Sequence, residues 1–186
     1  LEYGYSCMGY EIPGGIGAKL ACPDREIYVM VGDGSYLMMP AEIITSIQEG
    51  IKLTIILINN HGFASIGGLS RTIGSDGFGT KYVYRDKHTG LPSEKPLPVD
   101  LAVNAESLGA HVIKATDIAS LKEALKKART QPETTVIHIE TVPERKLAGY
   151  GYAWWDVPIA EISEMPGVNE AYKNYSEKRK DQKYYL

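Results

Sequence analysis

Two short apolar runs, each broken off by side chains carrying oxygen, constrain this chain more than anything else in it. Ile27-Tyr28-Val29-Met30-Val31 ends in Gly32-Asp33-Gly34-Ser35, and Leu53-Thr54-Ile55-Ile56-Leu57-Ile58 ends in Asn59-Asn60. Their length and β-branched content are those of buried strands. Between them Pro40 opens a helical pattern with Ile43, Ile44 and Ile47 on one face and Gly50 at the C-terminal cap. A strand–loop–helix–strand–loop unit makes the two strands parallel. It brings Asp33 and Asn60, 27 positions apart (60 − 33), to one end of the sheet, where α/β proteins bind ligands. Hard oxygen ligands beside glycine amides suit a diphosphate bridged by Mg²⁺.

The rest of the chain extends this alternation. Gly9–Ala21 places Pro13 near a helix start, followed by Gly14, Gly15, Gly17 and Ala18, small enough for close approach to a strand or ligand. Asp100 caps a helix that ends at Leu108-Gly109, and His111-Val112-Ile113 reads as a short strand. Asp117 opens a helix with Ile118, Leu121, Leu125 and Ala128 on one face and Glu123 and Lys127 paired outside. Thr134–Thr141 is a further buried strand. The fold class expected is α/β, a mainly parallel sheet with helices on both faces. The stretch from Asn59 to about Gly90 is rich in glycine and aromatics and shows no helical period, which favours a functional loop. Tyr150–Pro158 is aromatic-rich, with Trp154 and Trp155 a candidate lid. A charged helical tail follows from about Val168, its run 177–181 read as a solvated face. The domain reading is 1–142 for the α/β domain and 143–186 for the aromatic segment and tail.

With 186 residues, 44% hydrophobic, 23% charged and a net charge of −3, the chain carries no basic footprint for nucleic acid or anionic membrane. No apolar run approaches the roughly 20 residues of a membrane span, and no charged-then-apolar leader opens it. Cys7 and Cys22 make no metal pattern and no disulfide framework, and read as reduced thiols in a cytoplasmic protein. His88, His111 and His138 show no metal spacing. Leu1-Glu2-Tyr3-Gly4 is no natural translation start, so the expectation is a domain truncated at its N-terminus, with the other domains of a longer enzyme absent.

The tetrad and the asparagine pair, at this spacing, resemble the diphosphate-binding motif of thiamine-diphosphate enzymes. The resemblance implies a thiamine-diphosphate-binding fold, with Asp33, Asn60 and the backbone of Gly62 as metal ligands and Gly32, Gly34 and Ser35 beside the phosphates. Met8-Gly9-Tyr10-Glu11-Ile12-Pro13 resembles the Met-Gly-Tyr/Phe-x-x-Pro segment of the acetolactate-synthase-like branch. By that likeness Met8 wedges between the cofactor's two rings, and the backbones of Met8 and Ser6 bind the aminopyrimidine; relatives usually carry glycine where Ser6 stands. Core filling is the plainer reading of a methionine. The implied cofactors are thiamine diphosphate and Mg²⁺. The glutamate that activates the pyrimidine lies on another domain in this family, usually a neighbouring subunit's, and no residue of this chain is assigned that role.

Within the family, GYSCMGYEIPGGIGAKLACPDREIYVMVGDGSYLMMPAEI (4–43), INNHGFASIGGLSR (58–71) and WWDVP (154–158) are similar to ring-opening C–C hydrolases of inositol catabolism. That likeness implies water-dependent opening of a polyhydroxylated cyclic 1,2-diketone to 5-deoxyglucuronate without loss of CO₂. It also implies a homodimer or homotetramer with an active site shared between subunits, so the chain alone is expected to be inactive. His61, beside the metal loop, is the candidate proton shuttle, set against a structural histidine. Ser65, Ser70 and Arg71 are candidates for the substrate hydroxyls, set against plain turn residues. The alternatives are a carboligase or decarboxylase of the same fold, such as acetolactate synthase or glyoxylate carboligase, and a non-catalytic domain kept for assembly. A Rossmann-type nucleotide binder is disfavoured because no G-x-G-x-x-G follows a strand.

Overall fold

The computed structural model describes residues 7–142 and 158–183. Its elements run α1 (Glu11–Ala21), β1 (Tyr28–Gly32), α2 (Asp33–Tyr36), α3 (Glu42–Gln48), β2 (Thr54–Asn59), α4 (Ala64–Thr72), β3 (Val83–Arg85) and β4 (Pro92–Pro96). They continue with α5 (Leu101–Ser107), β5 (His111–Ala115), α6 (Ile118–Thr130), β6 (Thr135–Glu140) and α7 (Pro166–Lys180). They fall into two compact units. The first joins the chain up to Gly62 with Pro98–Val142; the second joins Phe63–Leu97 with the described tail. The division cuts the chain at 62/63, 97/98 and 142/143. The glycine-rich stretch thus groups with the tail, apart from the parallel sheet.

In the first unit four strands pair in the order β1-β2-β6-β5, every pair parallel. Alternation along β6 shows how the sheet is covered. Val136 joins one core with Ile12, Ile16, Val29, Val31, Leu53, Ile55 and Leu57, while Ile137 joins another with Ala115, Ala124 and Ala128. Successive residues of a strand point to opposite faces, so α1, α3 and α5 pack on one face and α6 on the other. The close approach of α1 has a visible cause: a Cβ built on Gly15 would overlap Val29 Cγ2. Tyr36 is fully buried, and burial pushes its phenol up to about 12; its hydroxyl donates to Asn104 Oδ1 at 2.8 Å.

The helix starts follow side-chain chemistry. Asp100 accepts from the backbone N–H of Ala102 and Val103, and Asp117 closes a capping box with Ser120. Three details depart from expectation. Ile44 and Ile118 are exposed, since each lies off the buried stripe of its helix, with Ser46 and Ala124 buried instead. Glu123 pairs with Lys126, one residue short of Lys127, at 2.7 Å. And the stretch after Asn59 is not an unstructured loop. It holds α4 and, in the second unit's own two-stranded sheet, β3 and β4.

That second unit is held by backbone proximity. Phe63 N–H donates to Thr80 C=O at 2.9 Å, Leu97 N–H to Tyr82 C=O at 2.8 Å, and the Phe63 and Tyr82 rings meet edge to face. Gly74, at φ +86°, lies so close to Gly167 at the start of α7 that a Cβ there would overlap the Gly167 carbonyl.

Candidate active site at the carboxyl edge of the sheet

All four strands of the first unit end at the same edge, so Gly32, Asn59, Ala115 and Glu140 lie along one rim. The chain leaves β1 directly into the single turn of α2, and its first residue, Asp33, is 1% exposed. A buried carboxylate needs partners. Asp33 Oδ2 accepts the backbone N–H of Gly62 at 2.8 Å, joining the two sequence motifs across 29 positions. A Cβ built on Gly32 meets nothing within 4 Å, so the backbone just before Asp33 is open on that side.

Asn60 supplies the clearest chemical sign. Its Oδ1 is buried and has no hydrogen-bond partner, and such a group is costly unless something binds it. A carboxylate, a carboxamide oxygen and a backbone carbonyl are a hard oxygen set of the kind Mg²⁺ takes. Asp33, Asn60 and Gly62 therefore fit a divalent cation; among the described residues no cluster of histidine, cysteine and acidic groups offers another metal site.

Ser35, expected beside the phosphates, has its side chain engaged within the protein. Its Oγ accepts the Gly9 N–H at 2.9 Å, and its hydroxyl donates to Glu11 Oε1 at 2.7 Å. It ties the tetrad to the Met8-Gly9 segment. Glu11 Oε2 is buried without a partner. Met8 itself is 41% exposed, so it is not core filler, and Gly9 beside it sits at φ +89°. Ser6, Trp154 and Trp155 lie outside the described residues.

His61 stands at the far side of the rim, at φ +63°, the one non-glycine residue in left-handed backbone among those described. Its Nε2 is 2.6 Å from Glu140 Oε2; a carboxylate only accepts, which assigns the proton to Nε2. Glu140 Oε1 accepts from Asn59 Nδ2 at 3.0 Å, and Asn59 Oδ1 accepts the His61 N–H at 3.1 Å. His138 Nε2 is buried, makes no hydrogen bond, and lies within ion-pair distance of Glu140 Oε1 at 3.5 Å. Burial holds that imidazole below its usual range, with Glu140 opposing and Lys114 adding to the shift. Ser65, Ser70 and Arg71 are carried on α4, in the second unit.

Two residues of the rim were missed in the sequence. Glu11 had a signal, a lone acid inside a small-residue helix start. Glu140 had none beyond being the last polar residue of a strand, because its position depends on β6 pairing with β2.

A parallel sheet with a buried carboxylate and an orphaned carboxamide oxygen at its carboxyl rim is the arrangement of an α/β ligand-binding domain. The model of the family "Thiamine pyrophosphate enzyme, C-terminal TPP binding domain" matches residues 1–139, and the chain belongs to that family. It is 45% identical over 174 residues to a 3D-(3,5/4)-trihydroxycyclohexane-1,2-dione hydrolase of Clostridium botulinum (strain Alaska E43 / Type E3), covering 94% of this chain and 27% of the relative. It is 42% identical, with the same coverage, to a 3D-(3,5/4)-trihydroxycyclohexane-1,2-dione hydrolase of Bacillus thuringiensis (strain Al Hakam). The chain thus spans about a quarter of the length of the curated relatives it matches. Among solved structures it is similar to the Rhodococcus jostii RHA1 thiamine diphosphate-dependent 4-hydroxybenzoylformate decarboxylase, with a TM-score of 0.58 and 25% identity over 73% of this chain and 23% of that one. No helix among the described residues is long and apolar enough to cross a membrane.

Proposed function

We propose that this chain is the cofactor-binding part of a cytoplasmic, thiamine-diphosphate-dependent hydrolase that opens a trihydroxycyclohexane-1,2-dione ring to 5-deoxyglucuronate. The observation that carries the reading is 45% identity, over 94% of the chain, to relatives bearing that name. The orphaned Asn60 Oδ1 and the buried Asp33 carboxylate support an intact site.

When bound, thiamine diphosphate supplies a nucleophilic carbon and an electron sink for breaking a C–C bond next to a carbonyl. Asp33, Asn60 and the Gly62 carbonyl hold Mg²⁺, and Gly32 and Gly34 leave room for the diphosphate. Ser35 acts one step back, fixing the Met8-Gly9 turn that seats the organic part, with Ser6 and Met8 offering backbone groups to the aminopyrimidine. His61, its ring fixed by Glu140, is the group that hands a proton to or from the substrate. Ser65, Ser70 and Arg71 are proposed to meet the substrate hydroxyls. The site is completed by an activating glutamate from another domain of a homodimer or homotetramer.

The test is to offer the full-length protein the cyclic dione and, separately, pyruvate and glyoxylate. Ring opening that needs thiamine diphosphate and Mg²⁺ and releases no CO₂ is expected. Acetolactate formation or CO₂ release would instead favour the carboligase or decarboxylase reading, which the likeness to a decarboxylase structure keeps in view. Asp33→Ala is expected to remove activity and Mg²⁺-dependent cofactor binding together while the fold persists.

A further inference from the structure

Glu140 lies outside both sequence motifs, yet two side chains of the metal loop converge on it. Oε1 takes the Asn59 amide at 3.0 Å, and Oε2 takes the His61 ring at 2.6 Å. Asn59 returns the connection by accepting the His61 backbone N–H at 3.1 Å. The next residue, Thr141, adds its backbone N–H (2.8 Å) and hydroxyl (3.2 Å) to the Asn59 carbonyl. The end of β6 therefore grips Asn59 and His61, the residues flanking metal ligand Asn60.

The loop needs such a grip. His61 adopts φ +63°, which a side chain with a Cβ disfavours and glycine does not. That turn is what presents the Gly62 N–H to Asp33 Oδ2 at 2.8 Å. Glu140 and His61 are 54% and 55% exposed at the side chain, and an ion pair so wet adds little stability by its charge. Its effect is geometric.

We propose that Glu140 is a positioning residue: through Asn59 and His61 it holds the left-handed turn that sets Asn60 and Gly62 for the metal–diphosphate site. The proposal rests on the thiamine-diphosphate reading above. It makes Glu140 the outer partner of the metal loop, a kind of residue whose loss typically costs about 10- to 100-fold in metal affinity.

The experiment is a double-mutant cycle in the full-length protein, reading the dissociation constant of thiamine diphosphate at fixed Mg²⁺ by calorimetry, with the thermal midpoint alongside. Glu140→Ala is expected to weaken binding about tenfold or more. Glu140→Gln, which can still engage both the Asn59 amide and the His61 ring nitrogen, is expected to recover most of that loss. In the His61→Gly background the turn needs no holding, so Glu140→Ala is expected to cost less than about threefold. A role confined to stability would lower the midpoint equally in both backgrounds and leave the dissociation constants uncoupled; that outcome overturns the proposal, as does unchanged binding by Glu140→Ala. Should Glu140→Ala not fold, Glu140→Asp, one methylene shorter, enters the same cycle. If the parent protein binds no thiamine diphosphate, the cofactor reading falls first and this proposal with it.

Discussion

Replacing Gly9 by alanine tests how the Met8 segment is held against the glycine–aspartate turn. Gly9 sits at φ +89°, where an L side chain costs about 1–2 kcal/mol. The new Cβ would stand 3.0 Å from Met38 Cβ and 3.4 Å from Met39 Cγ. The first of these is a near-backbone atom that cannot swing aside, and such crowding adds about 1 kcal/mol or more. The segment can escape both terms only by turning away, which breaks the Gly9 N–H bond to Ser35 Oγ at a cost of about 1 kcal/mol. Turning away is the cheaper route, and it displaces Met8. Gly9→Ala is therefore expected to lower stability by only about 1–2 kcal/mol while weakening thiamine diphosphate binding about tenfold, the factor that 1.4 kcal/mol represents. Gly17→Ala is the control, because a Cβ there meets nothing within 4 Å and the position lies inside α1; it should be neutral, or stabilising by about 0.5–1 kcal/mol. Calorimetric titration and denaturant unfolding of both variants decide the matter. Parent-like affinity in Gly9→Ala, or equal damage from Gly17→Ala, would refute the reasoning.

Three further outcomes are expected. Tyr36→Phe removes the donor to Asn104 from a fully buried site and should lower the denaturation midpoint by the equivalent of about 1 kcal/mol; no change would mean water replaces the hydroxyl. Burial lowers the His138 pKa from 6.5 when folded, against the raising effects of Glu140 and Asp100 and with the lowering effects of Lys114 and His61. As pH falls through about 6.5 the unfolded chain takes up this proton before the native one, so stability drops with falling pH until the folded group titrates. His138→Gln should flatten that part of the pH–stability curve, and an unchanged slope would show that other groups set it. In the second unit, Gly74→Ala combines a φ of +86° with overlap of the Gly167 carbonyl and should cost about 2–4 kcal/mol; limited proteolysis should then cut near α7 sooner than in the parent.

Local chemistry made much of the first unit legible. β-branched runs gave β1, β2 and β6 to within a residue or so at each end, because each is a continuous apolar run with no helical period. β1 is nonetheless covered on one face only, with Tyr28 and Met30 exposed. Asp100 and Asp117 marked helix starts through the hydrogen bonds their side chains make. Periodicity was blunter at the rims of helices. Ile44 and Ile118 are apolar enough to be counted on the inner face, yet they sit at the edge of the stripe and face solvent. The second unit resisted reading for a different reason. Gly67-Gly68 weakens the helical pattern of Ile66, Leu69 and Ile73. Pro92 and Pro96 look hostile to a strand, but β4 belongs to a two-stranded sheet and tolerates prolines as edge strands do.

The site divides along the same line. Asp33 and Asn60 could be singled out because each carries oxygen at a strand end, a local property of the sequence; Gly62 entered only through the family resemblance. Glu140 could not, because its contact with Asn59 and His61 spans about 80 positions and exists only if β6, rather than β5 or an unseen strand, lies next to β2. Ser35 shows the converse. The family resemblance puts Ser35 beside the phosphates, and the fold shows what the motif could not, that its hydroxyl is bonded to Gly9 and Glu11. The local motif names the atoms that bind; strand order and long-range hydrogen bonds decide which of them are free to do so and which hold the others still.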